Sequence, residues 1–70
     1  MNIIYNPDTD LLYIRIDDKE QAVINQRVSD EIVLDIGDGN KIIGIEILDA
    51  SKNIDLDKVL PVKYSYEKVC

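Results

Sequence analysis

The sequence predicts a small, mainly β domain on the α+β borderline, arranged as a four-stranded antiparallel β-meander. Three observations predict this fold class: short apolar segments that alternate with period two, an Asp-Gly pair between two of them, and a single late region with helix signals. With 70 residues, the chain is long enough for one small domain over residues 1–70. A short helical segment is expected after the fourth strand.

The first two strands are predicted on either side of a proline turn. Residues 2–5 are apolar and β-prone, and in the turn at residues 6–9 the proline takes the second position. Residues 11–17 then alternate in polarity, which is typical of a strand with two different faces. One face carries Leu12, Ile14 and Ile16, and the other carries Leu11, Tyr13, Arg15 and Asp17.

The next two strands are predicted to form a hairpin. Residues 31–36 and 41–47 alternate clearly, and Asp38-Gly39 between them is a pair that tight hairpin turns favour. With those two residues as the loop, Leu34 would lie opposite Ile43, and Glu31 opposite Glu46. Residues 22–30, which precede this hairpin, are a weaker extended segment.

Helix signals are confined to the region after the fourth strand. Residues 48–53 combine helix-capping residue types with helix formers, and residues 55–60 could add a short helical turn before Pro61 ends it. Residues 62–66 alternate again, so they are a candidate edge strand. Strand, helix and coil all remain open for residues 55–70.

The composition excludes several classes of site. The chain has no His, which removes the commonest metal ligand and the usual general base, and its one cysteine is Cys70 at the chain end. No segment is apolar and long enough to predict a membrane span, and the N-terminus lacks a signal-peptide pattern. We therefore expect a cytoplasmic protein with no cofactor, no membrane association and, on balance, no enzymatic activity.

The acidic charge points to the kind of partner the chain could bind. Fourteen Asp and Glu against eight Lys and Arg give a net charge of -6, and residues 1–40 hold nine of the acids but three of the bases. Such an excess repels the phosphate backbone of nucleic acid, so nucleic acid is not expected as a partner. A basic protein surface would be attracted instead.

The predicted sheet gathers several polar residues on one face, around the small residue Gly44. The candidates for partner binding are Tyr13, Arg15, Asp35, Glu46 and Asp49, with Glu31 predicted nearby. A solvated outer face with an Arg–carboxylate pair explains the same pattern. No metal site is expected; the weak carboxylate candidates for one are Asp10, Asp35, Glu46 and Asp49.

The same face carries more apolar residues than a solvated sheet face should. These residues are Leu11, Tyr13, Val33, Ile42 and Leu48. They predict that a second layer covers the face, supplied by another copy of the chain in a homodimer or by the chain's own residues 59–66. We expect the homodimer, because a chain this short buries little apolar surface by itself.

Two segments resemble the signature segments of a known family. Residues 5–15, YNPDTDLLYIR, and residues 43–51, IGIEILDAS, are similar to the opening and closing signatures of the small prokaryotic domain of unknown function 2283 (DUF2283). The resemblance covers about residues 1–54 and implies a β-meander, but no activity and no catalytic residues. Asp35, Glu46 and Asp49 fit the family pattern, whereas Glu31 stands where that pattern has a small residue.

Three functions remain open at this stage. Family members encoded beside small toxin-like proteins imply an antitoxin-like role for a chain that resembles them, so the first is a non-enzymatic module that presents an acidic sheet face to a basic protein partner. The second is a divalent-metal site built from carboxylates, with hydrolytic activity. The third is a structural protein that associates with itself.

Overall fold

The structure, a computed structural model, describes residues 1–59. In that part of the chain five strands form one antiparallel sheet, and two short helices follow them. The elements are β1 (Asn2–Asn6), β2 (Leu11–Arg15), β3 (Ile24–Arg27), β4 (Ile32–Ile36), β5 (Ile42–Ile47), α1 (Ala50–Asn53) and α2 (Leu56–Val59). The prediction of a mainly β fold with a small helical part after the strands is confirmed.

The order of the strands differs from that of a simple meander. The sheet runs β1-β2-β5-β4-β3, so β2 pairs with β5 and not with β4. Strands β3, β4 and β5 follow one another in the sheet, and β2 lies beside β5, which is a Greek-key arrangement. The long connection over residues 16–23 makes it possible. The physical reason is that β5, rich in isoleucine, gains a partner on both edges, while the polar β3 is left at the sheet edge.

The fifth strand therefore comes from the weaker extended segment and lies before the hairpin. Four of its residues, Ile24–Arg27, pair with β4, and all four are exposed. The candidate edge strand at residues 62–66 and Cys70 both lie outside the described residues. Among residues 1–59, neither helix has the length and apolar character needed to cross a membrane.

The β4–β5 register is displaced by two residues from the predicted one. Leu34 lies opposite Ile45, and the chain turns through a short 3-10 segment, Asp38–Asn40. Gly39 and Asn40 both have positive φ there, 70° and 58°, so the turn is longer than the predicted two-residue loop. A register irregularity at Asp35/Ile36 adds to the displacement. Because two residues are one full strand period, the faces are unchanged, but the partners across the strands are not.

Asp10 connects the β1–β2 turn to the first helix. Its carboxylate accepts hydrogen bonds from the Tyr5 hydroxyl (2.8 Å), the Ser51 backbone N–H (3.0 Å) and the Ser51 hydroxyl (2.7 Å). Its carbonyl oxygen accepts another from the backbone N–H of Ala50, at 2.9 Å. These hydrogen bonds lower the pKa of the Asp10 carboxyl, with the Ser51 side chain the largest cause. Asp10 therefore anchors the start of α1.

Burial is concentrated at few positions in this single-layered sheet. Leu12 and Ala50 are fully buried, and Ile43 and Val33 are nearly so. Of the apolar residues that prompted the dimer prediction, Val33 is thus already covered, Leu11, Tyr13 and Leu48 are partly covered, and Ile42 is exposed. The second face is consequently less open than the sequence pattern indicated.

Candidate functional site

Six side chains from four strands share one face of the sheet around Gly44. We call them the polar cluster: Tyr13 and Arg15 of β2, Asn25 and Arg27 of β3, Asp35 of β4, and Glu46 of β5. Strand pairing explains the grouping, because Tyr13 is opposite Glu46, and both Arg15 and Asp35 are opposite Gly44. Asn25 is opposite Asp35 on the far side of β4.

Asp35 is the hydrogen-bond acceptor at the centre of the cluster. It is 6% exposed, which is unusual for a carboxylate. The Tyr13 hydroxyl donates to its Oδ2 at 2.9 Å, and Asn25 Nδ2 donates to its Oδ1 at 2.6 Å. Both carboxylate oxygens are therefore engaged by donors from neighbouring strands, which is how a buried carboxylate is made tolerable.

Gly44 leaves the space into which the Tyr13 and Asp35 side chains lean. A Cβ atom added at Gly44 would lie 2.6 Å from the Tyr13 hydroxyl oxygen and 3.0 Å from Asp35 Oδ2. Both separations are shorter than ordinary van der Waals contact. The glycine in the middle of β5 is therefore required by the close approach of these two side chains.

Burial and the neighbouring Asp35 carboxylate raise the pKa of two groups in the cluster, the Glu46 carboxyl and the Tyr13 hydroxyl. Burial raises the pKa of Glu46, and the nearby Asp35 raises it further, while Arg27 lowers it. Burial likewise raises the pKa of the Tyr13 hydroxyl, which also donates to Asp35. Arg15 lies over the Tyr13 ring, with Cζ 5.4 Å from the ring centroid.

We expect Glu46→Gln to stabilise the protein at pH 7 by about 0.5–1 kcal/mol, because it removes a like charge beside Asp35. A carboxyl whose pKa is raised on folding favours the folded state at low pH and loses that contribution as the pH rises through the folded pKa. The gain should therefore vanish below the ordinary pKa of 4.5, where Glu46 is neutral in both states. Urea unfolding at pH 7 and near pH 3.5 measures both values.

The control for that measurement is Glu20→Gln, since Glu20 is an exposed acid outside the polar cluster. It should leave the free energy of unfolding nearly unchanged at both pH values. A gain for Glu46→Gln that is equal at the two pH values would contradict the electrostatic explanation.

A cleft opens beside the polar cluster, between β2 and the connection from β2 to β3. Its volume is about 370 Å³. Tyr13, Arg15 and Ile43 form its sheet side, and residues of the connection form the rest: Asp17, Asp18, Lys19, Glu20, Gln21 and Val23. Three carboxylates against two cations give this lining an acidic balance.

Hydrogen bonds hold the connection beside the sheet. The backbone N–H groups of Ile16 and Asp17 both donate to the carbonyl of Ile43, at 2.8 and 3.1 Å. Gln21 Oε1 accepts from the backbone N–H of Asp38 at 2.7 Å, which ties the connection to the β4–β5 turn. Asp18 and Glu20 are exposed between these anchors. The cleft is therefore a defined feature with three exposed acids in its lining, Asp17, Asp18 and Glu20.

The sequence model of a family described as protein of unknown function (DUF2283) matches residues 2–51. The chain belongs to the DUF2283 family. No curated protein and no solved structure matches it. The matched segment contains every residue of the polar cluster and of the cleft. The candidate site thus lies within the DUF2283 part of the chain.

Two of the predicted site residues in this DUF2283 chain, Asp49 and Asp10, lie away from the polar cluster. Asp49 precedes α1 in a left-handed conformation, with φ 49°, and Asp10 anchors the same helix. They share neither a cluster nor a strand pairing with Asp35 and Glu46. Among residues 1–59, no group of three or more Asp, Glu or Cys residues is placed to hold a metal ion. The carboxylate-metal alternative gains no support from this arrangement.

The predicted opposition of Glu31 and Glu46 is wrong. Val33 lies opposite Glu46, and Glu31 precedes β4, where its carbonyl accepts a hydrogen bond from the backbone N–H of Leu48 at 2.8 Å. The two-residue register shift separates the two acids. Arg27, not Arg15, is the cation that lowers the pKa of Glu46.

Sequence reasoning missed Asn25 and Arg27 as members of the site. Both lie in the segment that the sequence predicts only as weakly extended, and pairing with β4 brings them to the polar face. Their spacing of two residues is the signal that a strand assignment would have used. The exposed acids Asp18 and Glu20 were also missed, because a loop sequence does not predict which strand it passes.

Proposed function

We propose that this DUF2283 chain is a non-enzymatic protein-binding module, and that its cleft receives a basic segment of a partner protein. The observation that carries the proposal is the cleft itself, a concave site of about 370 Å³ with an acidic lining beside the polar cluster. Concave sites of this size accept a side chain or a short segment of a partner.

The lining suits a lysine or arginine side chain. The aliphatic stem of such a residue can pack against Ile43 and Val23, while its charged end reaches the exposed carboxylates of Asp18 and Glu20. The net charge of -6 would also speed the approach of a basic protein. Charge and shape therefore favour the same class of partner.

The residues beside the cleft support binding better than catalysis. The chain has no His, and the one strongly buried carboxylate among residues 1–59, Asp35, has both oxygens engaged by Tyr13 and Asn25. A general base needs an oxygen free to accept a substrate proton. The buried part of the polar cluster thus supports the sheet beside the cleft. An antitoxin-like role is the specific form of binding that the family resemblance implies.

Capture of the partner by the tagged chain tests the proposal. The tagged chain is incubated with lysate of the organism that encodes it, and bound proteins are identified by mass spectrometry. We expect one basic protein in stoichiometric amount, released by raised salt. Asp18→Lys with Glu20→Lys should weaken its binding at least about tenfold, because the variant opposes like charges across the cleft.

The matched control is Asp8→Lys with Asp57→Lys, which changes the net charge equally at two exposed positions outside the cleft. It should retain the partner, since only the total charge has changed. Equal loss with both variants would show that net charge alone attracts the partner. Equal retention with both would place the binding surface elsewhere and contradict the proposal.

A further inference from the structure

The outer edge of β3 is open in the part of the chain that the structure describes. Within residues 1–59, β3 pairs only with β4, so one row of its backbone groups has no strand beside it. Ile24 and Val28 are 68% and 59% exposed along this edge. Natural sheets guard such edges with lysine, proline or a bulge, and residues 23–28 contain neither of those residue types.

We propose that two copies of this chain form a homodimer by pairing their β3 edges antiparallel, with Ile24 opposite Val28 of the second copy. This inference does not depend on the proposed function, because it rests on a different surface. Its occupant is a second copy because the edge is complementary to itself, as its backbone and its side chains both indicate.

The backbone pattern identifies which residues face the open edge. Val28 donates its N–H to the carbonyl of Ile32, at 2.8 Å, so it belongs to the set whose backbone groups point toward β4. Hydrogen-bonded and non-hydrogen-bonded pairs alternate along an antiparallel ladder. The backbone groups of Asn25 and Arg27 must therefore point outward. Asn25 can exchange hydrogen bonds with Arg27 of the second copy, and Arg27 with its Asn25.

The side chains select this register over its neighbours. In this register Ile24 of each copy lies opposite Val28 of the other. The two-fold axis passes between the two Gln26 residues, which face each other. If one copy slid along the other by two residues in one direction, Arg27 would lie opposite Arg27 of the second copy. The same slide in the other direction would place Ile24 opposite Gln26. Of these three registers, only the proposed one joins apolar with apolar side chains and keeps the arginines from facing each other directly.

Arg27 does not guard the edge against this pairing. Its Nη1 donates to the carbonyl oxygens of Asp30 (2.9 Å) and Ser29 (3.4 Å), so the guanidinium is folded back over the turn that follows β3. The side chains of Ile24 and Val28 lie on the same face as Ile36 and Ile32, to which their strand pairs. Pairing would therefore continue one apolar surface from copy to copy.

Sedimentation velocity of the full chain, over a range of concentrations and in reducing buffer, is the first test. We expect reversible formation of a species with the mass of two chains. Ile24→Lys with Val28→Lys should raise its dissociation constant at least about tenfold, because the charges meet at the paired edge. Ile42→Lys, at an exposed isoleucine of β5, is the control and should leave it unchanged.

A disulfide at the two-fold axis tests the register directly. In a Cys70→Ser background, Gln26→Cys should oxidise to a covalent dimer, since facing residues of a non-hydrogen-bonded pair have Cα atoms about 4.5 Å apart. Ile24→Cys is the control. It lies on the same face, but its symmetry mate would be four residues along the strand, too far for a disulfide.

A chain that stays monomeric at every concentration would overturn the proposal. So would a dimer that survives Ile24→Lys with Val28→Lys, or one in which Gln26→Cys and Ile24→Cys cross-link equally. Circular dichroism of each variant shows whether the sheet is retained. Because Ile24 and Gln26 are exposed in the single chain, their replacement should not unfold it.

Discussion

Replacing Gly44 with alanine is expected to destabilise the protein by about 2 kcal/mol, although alanine is ordinarily the better strand residue. The added Cβ would approach the Tyr13 hydroxyl to 2.6 Å and Asp35 Oδ2 to 3.0 Å, so both side chains would have to move. Gly44 is buried, which leaves little room for that movement. Urea unfolding of the two proteins, followed by circular dichroism, measures the difference in the free energy of unfolding.

A double-mutant cycle with Tyr13→Phe separates the steric cause from a general loss of β5. Phenylalanine lacks the hydroxyl that a new Cβ would meet, so Gly44→Ala should cost about 1 kcal/mol less in that background. Equal costs in the two backgrounds would show that the tyrosine hydroxyl is not what requires glycine at this position.

Replacing Asp35 with alanine is expected to cost about 2 kcal/mol, because it leaves the Tyr13 hydroxyl and the Asn25 amide without their acceptor. Asp35→Asn keeps one acceptor oxygen and removes a charge next to Glu46, so it should cost less. The same unfolding measurement compares the two variants.

The control for Asp35 is Asp18→Ala, which removes an exposed aspartate from the connection after β2. It should change the free energy of unfolding by no more than about 0.5 kcal/mol. If Asp35→Ala were equally mild, Asp35 would not be the acceptor that ties β2 to β3 through β4.

The shared face of four site residues could be predicted because strand periodicity does not depend on register. Tyr13, Arg15, Asp35 and Glu46 lie at positions whose side chains alternate with the apolar ones, so any antiparallel sheet that joins the apolar faces of these strands sets them on one side. Their role in binding a partner stays a prediction. Asp49 could not be placed in this way, because it lies beyond the end of β5.

The cross-strand partners could not be predicted, because they depend on the length of a turn. A three-residue turn with positive φ at Gly39 and Asn40 replaced the expected two-residue loop, and the irregularity beside Asp35 moved the ladder further. The two-residue and the three-residue turn differ little in free energy within the isolated β4–β5 segment, and packing of the whole sheet selects between them.

The sequence by itself determined the fold class, the two faces of each strand and the DUF2283 resemblance, since these follow from local residue patterns. Tertiary structure alone decided that β5 lies between β2 and β4, which brought Asn25 and Arg27 into the polar cluster and left β3 at the edge. It also placed the acidic connection beside Tyr13 and Arg15. Strand order and loop path depend on contacts between residues far apart in the chain, and those contacts leave no periodic signal in the sequence.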